Sequence, residues 1–187
     1  MITSMCNSYE HTIVITNRHL VQGDFLKQLE KVTKLHPHAL ILREKDLTDD
    51  AYESLAKKVF DLCEREDITF FLHTKIEIAR KIGCQNIHLS IPVLKGLSET
   101  EKKALTEDFC EISISCHSME DVEIAMAGGA TQIILGTIFE TECKKGVLGK
   151  GVEFVREICQ KCPLPVYAIG GMNLQRLHLV IDAGAAG

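Results

Sequence analysis

The sequence lacks the features that mark three large classes of protein. It has no excess of basic residues: its net charge is −5, whereas a general nucleic-acid binder needs cations to displace counterions from phosphates. It has no apolar run near the ~20 residues that span a bilayer. Its first residues show no charged segment followed by an apolar one, as a secretory leader would. The sequence therefore predicts a cytoplasmic protein that binds neither nucleic acid nor membrane.

Disulfide bonds are not indicated either, although the chain contains eight cysteines. These residues are scattered over apolar stretches, and in a reducing compartment most would be small buried side chains. One C-x-x-C pattern, from Cys159 to Cys162, falls at a predicted helix end just before Pro163. A redox or zinc role would need a strand–helix context or a second pair of ligands, and neither is visible.

Two kinds of apolar pattern alternate along the chain. Short β-branched runs predict seven strands, at 11–16, 38–44, 69–74, 86–90, 111–117, 132–138 and 165–171. Between them lie helical patterns, such as 49–65 after a Thr48 or Asp49 N-cap. Another covers 118–130, with Ser118 as cap and two glycines as its stop. Because each parallel crossover needs a helix, the alternation predicts a parallel sheet. With no linker and no low-complexity segment, residues 1–187 are expected to form a single domain.

Two nucleotide-binding folds are excluded by missing glycine motifs. No G-x-G-x-x-G follows the first predicted strand, and no G-x-x-x-x-G-K-[ST] occurs anywhere. In a (β/α)₈ barrel, polar residues at the carboxyl ends of the strands face the active site. Such residues end the predicted strands here: Thr16 and Asn17, Arg43 and Lys45, His73, His88, Ser115 and His117, Thr137, Gly170 and Gly171. The sequence therefore predicts an α/β protein with the (β/α)₈ fold, the TIM barrel.

Four segments carry a resemblance to a known family: LREKDL at 42–47, SCHS at 115–118, GTIFETECKKGVLGKG at 136–151 and PVYAIGGM at 165–172. In their order and spacing, over essentially the whole chain, they resemble the thiamine phosphate synthase superfamily of (β/α)₈ barrels. The sequence is most similar to its TenI-type thiazole tautomerase branch. The resemblance implies a phosphorylated thiazole or pyrimidine ligand. It also implies an eighth strand beginning at 184–187, so that strand and its helix are expected to be lacking or truncated in this chain.

Differences from the synthases favour the tautomerase branch. The synthases carry Asn-Asp after the third strand and Asp after the fourth, and the aspartates hold Mg²⁺ on a pyrophosphate. This chain has His73-Thr74 at the first place and Ser-Ile-Pro-Val, at 90–93, at the second. Mg²⁺ prefers carboxylate and phosphate oxygens. Ile41 and Cys143 also stand where the synthase pattern has Gln and Thr. We therefore expect no metal site and no cofactor.

The phosphate-binding turn implied by the resemblance is present. Gly170 and Gly171 lie between a predicted strand and a helix that begins near Asn173. Glycine lets backbone N–H groups approach a phosphate closely, and the positive end of the helix adds attraction. The alternative is a plain strand-to-helix turn.

Further donors for an anionic substrate are predicted in two loops. Arg43 and Lys45, two residues apart on the second predicted strand, should point to one side and clamp a carboxylate or phosphate. The alternative is a solvated strand end in which they pair with the neighbouring acids. In the segment 136–151, Thr141 and Lys144 supply a hydroxyl and an ammonium group, and the glycines let this loop close over a ligand.

His117 is the predicted acid–base catalyst, since an imidazole can take up and release a proton near neutral pH. Ser113, Ser115 and His117 should share the inward polar face of the fifth strand. A histidine at a strand end is by itself more often structural. In the tautomerase branch, however, the histidine of S-x-H-S is the proposed acid–base, and the resemblance carries that role to His117. His73 and His88 could act instead or be wall residues.

These observations predict a cofactor-independent isomerase, a thiazole tautomerase of thiamine biosynthesis. Its substrate would be the exocyclic-ene form of carboxy-thiazole phosphate, bound by the residues named above. One alternative is a thiamine phosphate synthase, a transferase that joins pyrimidine pyrophosphate to thiazole phosphate. Another is a non-catalytic thiamine-phosphate-binding or regulatory protein. The predicted partner is a small phosphorylated thiazole, and a homo-oligomer stays open.

Overall fold

A computed structural model describes residues 9–141, 146 and 148–187 of the chain. In these residues, seven strands alternate with eight α-helices, as the apolar patterns predict. Most strands are one or two residues shorter than the predicted runs, because the polar and glycine residues at the ends of the runs do not form strand hydrogen bonds. The chain divides into two compact units, one ending at Asn86 and the other running from Ile87 to Gly187.

The first unit holds three parallel strands and their helices. Its elements are β1 (Ile13–Ile15), a 3-10 helix (Arg18–Leu20), α1 (Phe25–Thr33), β2 (Ala39–Leu42), α2 (Asp49–Arg65), β3 (Thr69–His73) and α3 (Ile76–Ile82). β2 pairs with both neighbours, with Ala39 opposite Ile13 on β1 and opposite Thr69 on β3. All four residues of β2 are fully buried, as expected of a parallel strand that is covered on both faces.

The second unit continues the same alternation. Its elements are β4 (Asn86–Ser90), which starts at the boundary, α4 (Ile91–Gly96), α5 (Glu99–Asp108), β5 (Glu111–Cys116), α6 (Met119–Ala127), β6 (Gln132–Gly136), α7 (Gly151–Lys161), β7 (Val166–Ile169) and α8 (Leu174–Asp182). The strands lie in chain order, with Ser113 opposite Gln132 and Ile133 opposite Val166. The carboxyl ends of β5, β6 and β7 therefore meet at one edge of this sheet.

The final residues of the chain run beside β7. The Ala186 N–H donates to the Val166 carbonyl at 2.7 Å, and the Ala168 N–H donates to the Gly187 carbonyl at 2.8 Å. Alternating backbone hydrogen bonds of this kind are typical of a parallel strand pair. It occurs where the resemblance places the start of an eighth strand.

The helix boundaries follow the predicted caps. The Thr48 hydroxyl accepts from the Ala51 N–H at the start of α2, and the Ser118 hydroxyl accepts from the Asp121 N–H at the start of α6. α6 ends at Ala127, with Gly128 as its C-cap, and the Asn173 side chain caps the start of α8. Each cap satisfies a backbone donor that the first helical turn leaves unpaired.

The cysteines of the described residues are free thiols. Four of them, Cys63, Cys84, Cys116 and Cys162, are buried, which confirms for these four the predicted role of small apolar side chains. Burial raises the pKa of Cys63 and of Cys116 to about 12, so neither thiol ionises near neutral pH. Within the part of the chain that the structure describes, no helix combines the length and the apolar character needed to cross a membrane.

Candidate functional site

A buried carboxylate joins the loops after β1 and β2 in the first unit. Glu44 is only 3% exposed and accepts hydrogen bonds from the Thr16 hydroxyl at 2.7 Å and the Arg18 backbone N–H at 3.0 Å. Thr16 Oγ1 in turn accepts from the backbone N–H of Arg43 at 2.9 Å. Because a buried charge is stable only when it is paired and hydrogen-bonded, these contacts fix the two loops to each other.

Arg18 binds both acids of the loop after β2. Its Nη1 donates to Glu44 Oε2 at 3.1 Å and to Asp46 Oδ1 at 2.6 Å, and its Nη2 also donates to Asp46. The forked geometry of a guanidinium suits such a double contact. The Arg18 hydrogen bond is the main cause that holds the pKa of the Asp46 carboxyl far below its usual range, and the contact of His19 adds to it.

Arg43 and Lys45 lie beyond the end of β2. Because the strand stops at Leu42 and Lys45 stands exposed in the following turn, the argument from strand alternation does not extend to this pair. The neighbouring acids pair with Arg18 instead of these two cations. Within the described residues, neither Arg43 nor Lys45 has an ion pair of its own.

His73, at the end of β3, is a buried neutral imidazole. Burial lowers its pKa to about 4, and the positive charges of Arg43 and Lys45 contribute to the same shift. An imidazole with this pKa is uncharged at neutral pH and cannot serve as a cation for an anionic ligand.

Tyr52 closes the ends of β2 and β3 from α2. Its hydroxyl donates to the Leu42 carbonyl at 2.6 Å and accepts from the His73 backbone N–H at 3.2 Å, and the residue is 1% exposed. Burial raises the pKa of Tyr52, so the phenol stays protonated and remains a donor. The predicted helix 49–65 includes Tyr52, but nothing in the sequence indicates its contacts to the strand ends.

In the second unit, His117 follows directly after β5 and is held by three contacts. Its backbone N–H donates to Asp121 at 2.7 Å, its ring Nδ1 lies 2.6 Å from the Gly136 carbonyl, and its own carbonyl accepts from the Lys150 ammonium. A carbonyl oxygen can only accept, so Nδ1 carries a proton. In the neutral ring, Nε2 then holds the free lone pair. The residue is exposed, so this nitrogen is open to a ligand.

His88 on β4 uses both ring nitrogens within the protein. Nδ1 lies 2.8 Å from the Ser113 hydroxyl and Nε2 lies 2.8 Å from the Ser115 hydroxyl. These contacts confirm that the two serines share one face of β5. His88 is 3% exposed, and its contact with Ser115 fixes the orientation of that hydroxyl. Of His88 and His117, only His117 is exposed to solvent.

The turn between β7 and α8 can be made only by glycine. Gly170 and Gly171 have φ values of +102° and +61°, and a Cβ on Gly171 would collide with the Glu140 carbonyl and lie 2.9 Å from Phe139 Cβ. Within the described part of the chain, neither glycine N–H has a hydrogen-bond partner. Two unpaired N–H groups beside the start of α8 can bind an anion.

Arg176 braces this turn from α8. Its guanidinium donates to the Gly171 carbonyl and lies over the Phe139 ring, 4.6 Å from the centroid. Thr141 lies in the loop after β6, two residues beyond Phe139, and is half-buried. Lys144 falls outside the described residues, so its role stays a prediction.

The side chains at the places where the resembled synthases hold Mg²⁺ do not fit that ion. β3 ends in the imidazole of His73, and after β4 the apolar residues Ile91 and Pro92 begin α4. The oxygens of Glu44 are occupied by hydroxyl and N–H donors. No group of three or more metal-binding side chains occurs in residues 9–141, 146 or 148–187. A hard cation such as Mg²⁺ needs several oxygen ligands.

The residues that sequence reasoning missed are those that act on the predicted ones. They are Arg18, Tyr52, Lys150 and Arg176, which contact backbone or acidic groups five to 33 residues away in sequence. No periodicity or local motif signals such a contact.

The chain is similar to known proteins over nearly its whole length. The family model for thiamine monophosphate synthase, TMP-TENI, matches residues 12–187. A thiamine-phosphate synthase of Coprothermobacter proteolyticus is 30% identical over 175 residues, which cover 93% of this chain and 82% of that protein. A putative thiamine-phosphate synthase 2 of Aquifex aeolicus is also 30% identical, over 92% of this chain and 91% of that protein.

A solved structure shares the fold. Thiamine phosphate pyrophosphorylase from Pyrococcus furiosus superposes with a TM-score of 0.80 at 23% identity, over 96% of this chain and 85% of that one. Such a likeness shows the fold and leaves the reaction open. It confirms the predicted (β/α)₈ fold class. With its family model matched from residue 12 to residue 187, the chain belongs to the thiamine monophosphate synthase (TMP-TENI) family.

Proposed function

We propose that this family member is a metal-independent isomerase that aromatises the exocyclic-ene form of carboxy-thiazole phosphate. The observation that carries the proposal is the fixed ring of His117. Its Nδ1 is committed to the Gly136 carbonyl, and Nε2 faces solvent at the carboxyl end of β5. This arrangement provides one positioned base whose tautomer is set by the protein.

The proposed reaction moves a single proton. Nε2 of His117 takes the proton from C2 of the ring, and the electron pair of that C–H bond enters the π system of the ring. The π pair of the exocyclic double bond then forms a new C–H bond at the exocyclic carbon with the proton that the imidazolium returns. Substrate and product have the same composition, so no oxidant, reductant or metal enters the balance. Because the product is aromatic, the step is downhill, and the enzyme needs only placement and one base.

Binding is assigned to the remaining predicted residues. Gly170 and Gly171 hold the phosphate through their N–H groups, with Thr141 and Lys144 as further donors. Ser115, oriented by His88, contributes a hydroxyl. The support for these roles is the unpaired state of the glycine N–H groups within the described residues.

Roles in the first unit rest on charge. Arg43 and Lys45 have no ion pair within the described residues and are assigned to an anionic substrate group. His73, neutral because of its lowered pKa, is assigned a hydrogen-bonding contact. Family membership supports both assignments.

The second candidate is thiamine-phosphate synthase, and the comparisons favour it. Both relatives described above carry that name, whereas none of these matches points to the tautomerase branch. Against it stand the side chains after β3 and β4, which do not fit Mg²⁺.

Two assays on one preparation separate the candidates. Proton NMR follows the tautomer substrate with and without EDTA, and a second assay follows thiamine phosphate formation from pyrimidine pyrophosphate and thiazole phosphate with Mg²⁺. We expect EDTA-resistant aromatisation and no condensation. Robust Mg²⁺-dependent condensation would establish the synthase and overturn the proposal. Binding of thiamine phosphate without either turnover would indicate a regulatory or binding protein.

A further inference from the structure

The segment 43–46 reads Arg-Glu-Lys-Asp, so two cations alternate with two acids. We call Arg43 and Lys45 the loop cations, and Glu44 and Asp46 the loop carboxylates. Neighbouring opposite charges in an isolated segment of this kind would neutralise one another and leave little attraction for an anion. The folded chain separates them, because both loop carboxylates contact Arg18.

We propose that Arg18 is a positioning residue that keeps the loop cations available to an anionic group of the ligand by holding the loop carboxylates. The inference rests on the proposed function in one respect, the assignment of the loop cations to an anionic substrate group. Arg18 is not among the predicted site residues, so this inference adds a residue to the site.

The contacts around Arg18 explain how this works. Its guanidinium bridges the two carboxylates, and its backbone N–H donates to Glu44 at 3.0 Å. The carboxylate of Glu44 also accepts from Thr16, whose Oγ1 accepts from the Arg43 N–H. Arg18 therefore holds both acids and offsets part of their negative charge. Through Glu44 and Thr16 it also fixes the backbone that carries the first loop cation.

His73 reports on the same charges from an independent direction. Burial is the main cause of its lowered pKa, and the positive charges of the loop cations lower it further. If Arg18 lost its charge, the loop carboxylates would be drawn to the loop cations, which are the nearest positive groups along the chain. The positive potential at His73 would then fall.

The test uses Arg18→Gln and a matched control, Arg80→Gln. Arg80 forms a similar arginine–carboxylate contact, with Glu77, on the outer helix α3 of the same unit, and its side chain is 34% exposed against 26% for Arg18. Inorganic pyrophosphate is the probe, and binding is followed through the backbone amide signals of Arg43 and Lys45 in NMR spectra. The pKa of His73 is measured by NMR on the same samples.

We expect Arg18→Gln to weaken pyrophosphate binding at these amides about tenfold and to raise the pKa of His73. Arg80→Gln should change neither, although the net charge changes equally. Adding Glu44→Gln and Asp46→Asn to Arg18→Gln removes both loop carboxylates, so the loop cations would have no acid to pair with. Binding should then be restored, although Arg18 is still missing. Arg18→Lys serves if Arg18→Gln does not fold, and its binding should be intermediate.

The two readouts keep the inference distinct from the proposed function. An unchanged pKa of His73 in folded Arg18→Gln, or failure of the triple variant to recover binding, would overturn the role of Arg18. If the wild-type protein shows no pyrophosphate response at Arg43 and Lys45 while the pKa of His73 shifts as expected, Arg18 controls the charges and the assigned anion-binding role of the loop cations is wrong.

Discussion

The strand ends of the two units use opposite chemistry. In the first unit, charged groups follow β1 and β2, and the acids among them are bound inside the protein by Thr16 and Arg18. In the second unit, the groups after β5 and β7 are an imidazole and two glycines, and within the described residues they keep unpaired atoms. In the first unit the carboxylates are paired with Arg18, whereas in the second unit a ring nitrogen and two backbone N–H groups are left open within the described residues.

This difference indicates where binding and chemistry should be sought. A network of internally paired charges can position and attract, but it offers no atom to exchange a proton. An imidazole with one fixed and one open nitrogen can do so. We therefore expect substitution of His117 in the second unit to affect turnover, and substitutions of the charged groups in the first unit to affect binding and stability.

The largest expected effect is that of His117→Asn. Asn keeps much of the hydrogen-bonding size but has no titrating nitrogen, so kcat for aromatisation should fall about 10²–10⁴-fold while binding of the aromatic product changes little. The measurement is proton NMR of the tautomer substrate, with product binding by calorimetry. His178→Asn, at an exposed position on α8, is the control. Normal turnover in folded His117→Asn would move the role to His73 or His88.

The second prediction concerns the glycine turn. Ala at Gly171 would need a positive φ and would collide with the Glu140 carbonyl, so Gly171→Ala should cost about 3 kcal/mol of stability and most of the phosphate binding. Gly83→Ala is the matched control, because Gly83 has φ +75° but open space around a Cβ, and it should cost about 1 kcal/mol. Urea unfolding and phosphate titration measure both. Equal losses in the two variants would show that the collision is unimportant.

Much of this arrangement follows from local sequence, and the rest does not. The α2 and α6 boundaries could be predicted because Thr48 and Ser118 bond to N–H groups only three residues away. The position of Ser113 and Ser115 on the same face of β5 follows from the two-residue period of a strand. Arg18 could not be predicted as the partner of Glu44, because 26 residues separate them and no spacing rule relates neighbouring parallel strands.

Charge patterns were the least informative feature of the sequence. The alternating acids and bases of 43–46 suggested either a clamp or a self-paired strand end. Neither option considered a third partner from the loop after β1, which is what the fold supplies. Side-chain pairing depends on tertiary distance, so a one-dimensional pattern cannot decide it.

The third prediction uses the pKa of His73. Its folded value of about 4 lies below its ordinary value of 6.5, so between these two values the unfolded chain binds the proton and the folded chain does not. Stability from this residue is thus complete above pH 6.5 and is lost as pH falls, by about 2–3 kcal/mol at pH 4.5. Comparing urea unfolding of wild type and His73→Asn at pH 7 and pH 4.5 isolates the effect. An identical acid loss in both proteins would contradict it.

The smallest expected effect is that of Tyr52→Phe. The substitution removes a hydroxyl that bonds the Leu42 carbonyl and the His73 N–H at the ends of two strands, and both backbone groups would stay buried without that partner. Unsatisfied buried groups cost about 1–2 kcal/mol here, since the phenyl ring still fills the space. Urea unfolding should show this loss, and amide exchange at His73 should quicken more than at Phe71 within β3. If exchange rises equally at both residues, the hydroxyl stabilises the whole unit rather than the strand end. If neither stability nor exchange changes, the backbone groups at the ends of β2 and β3 find other partners. Tyr52 would then not be needed to satisfy the strand ends of the first unit.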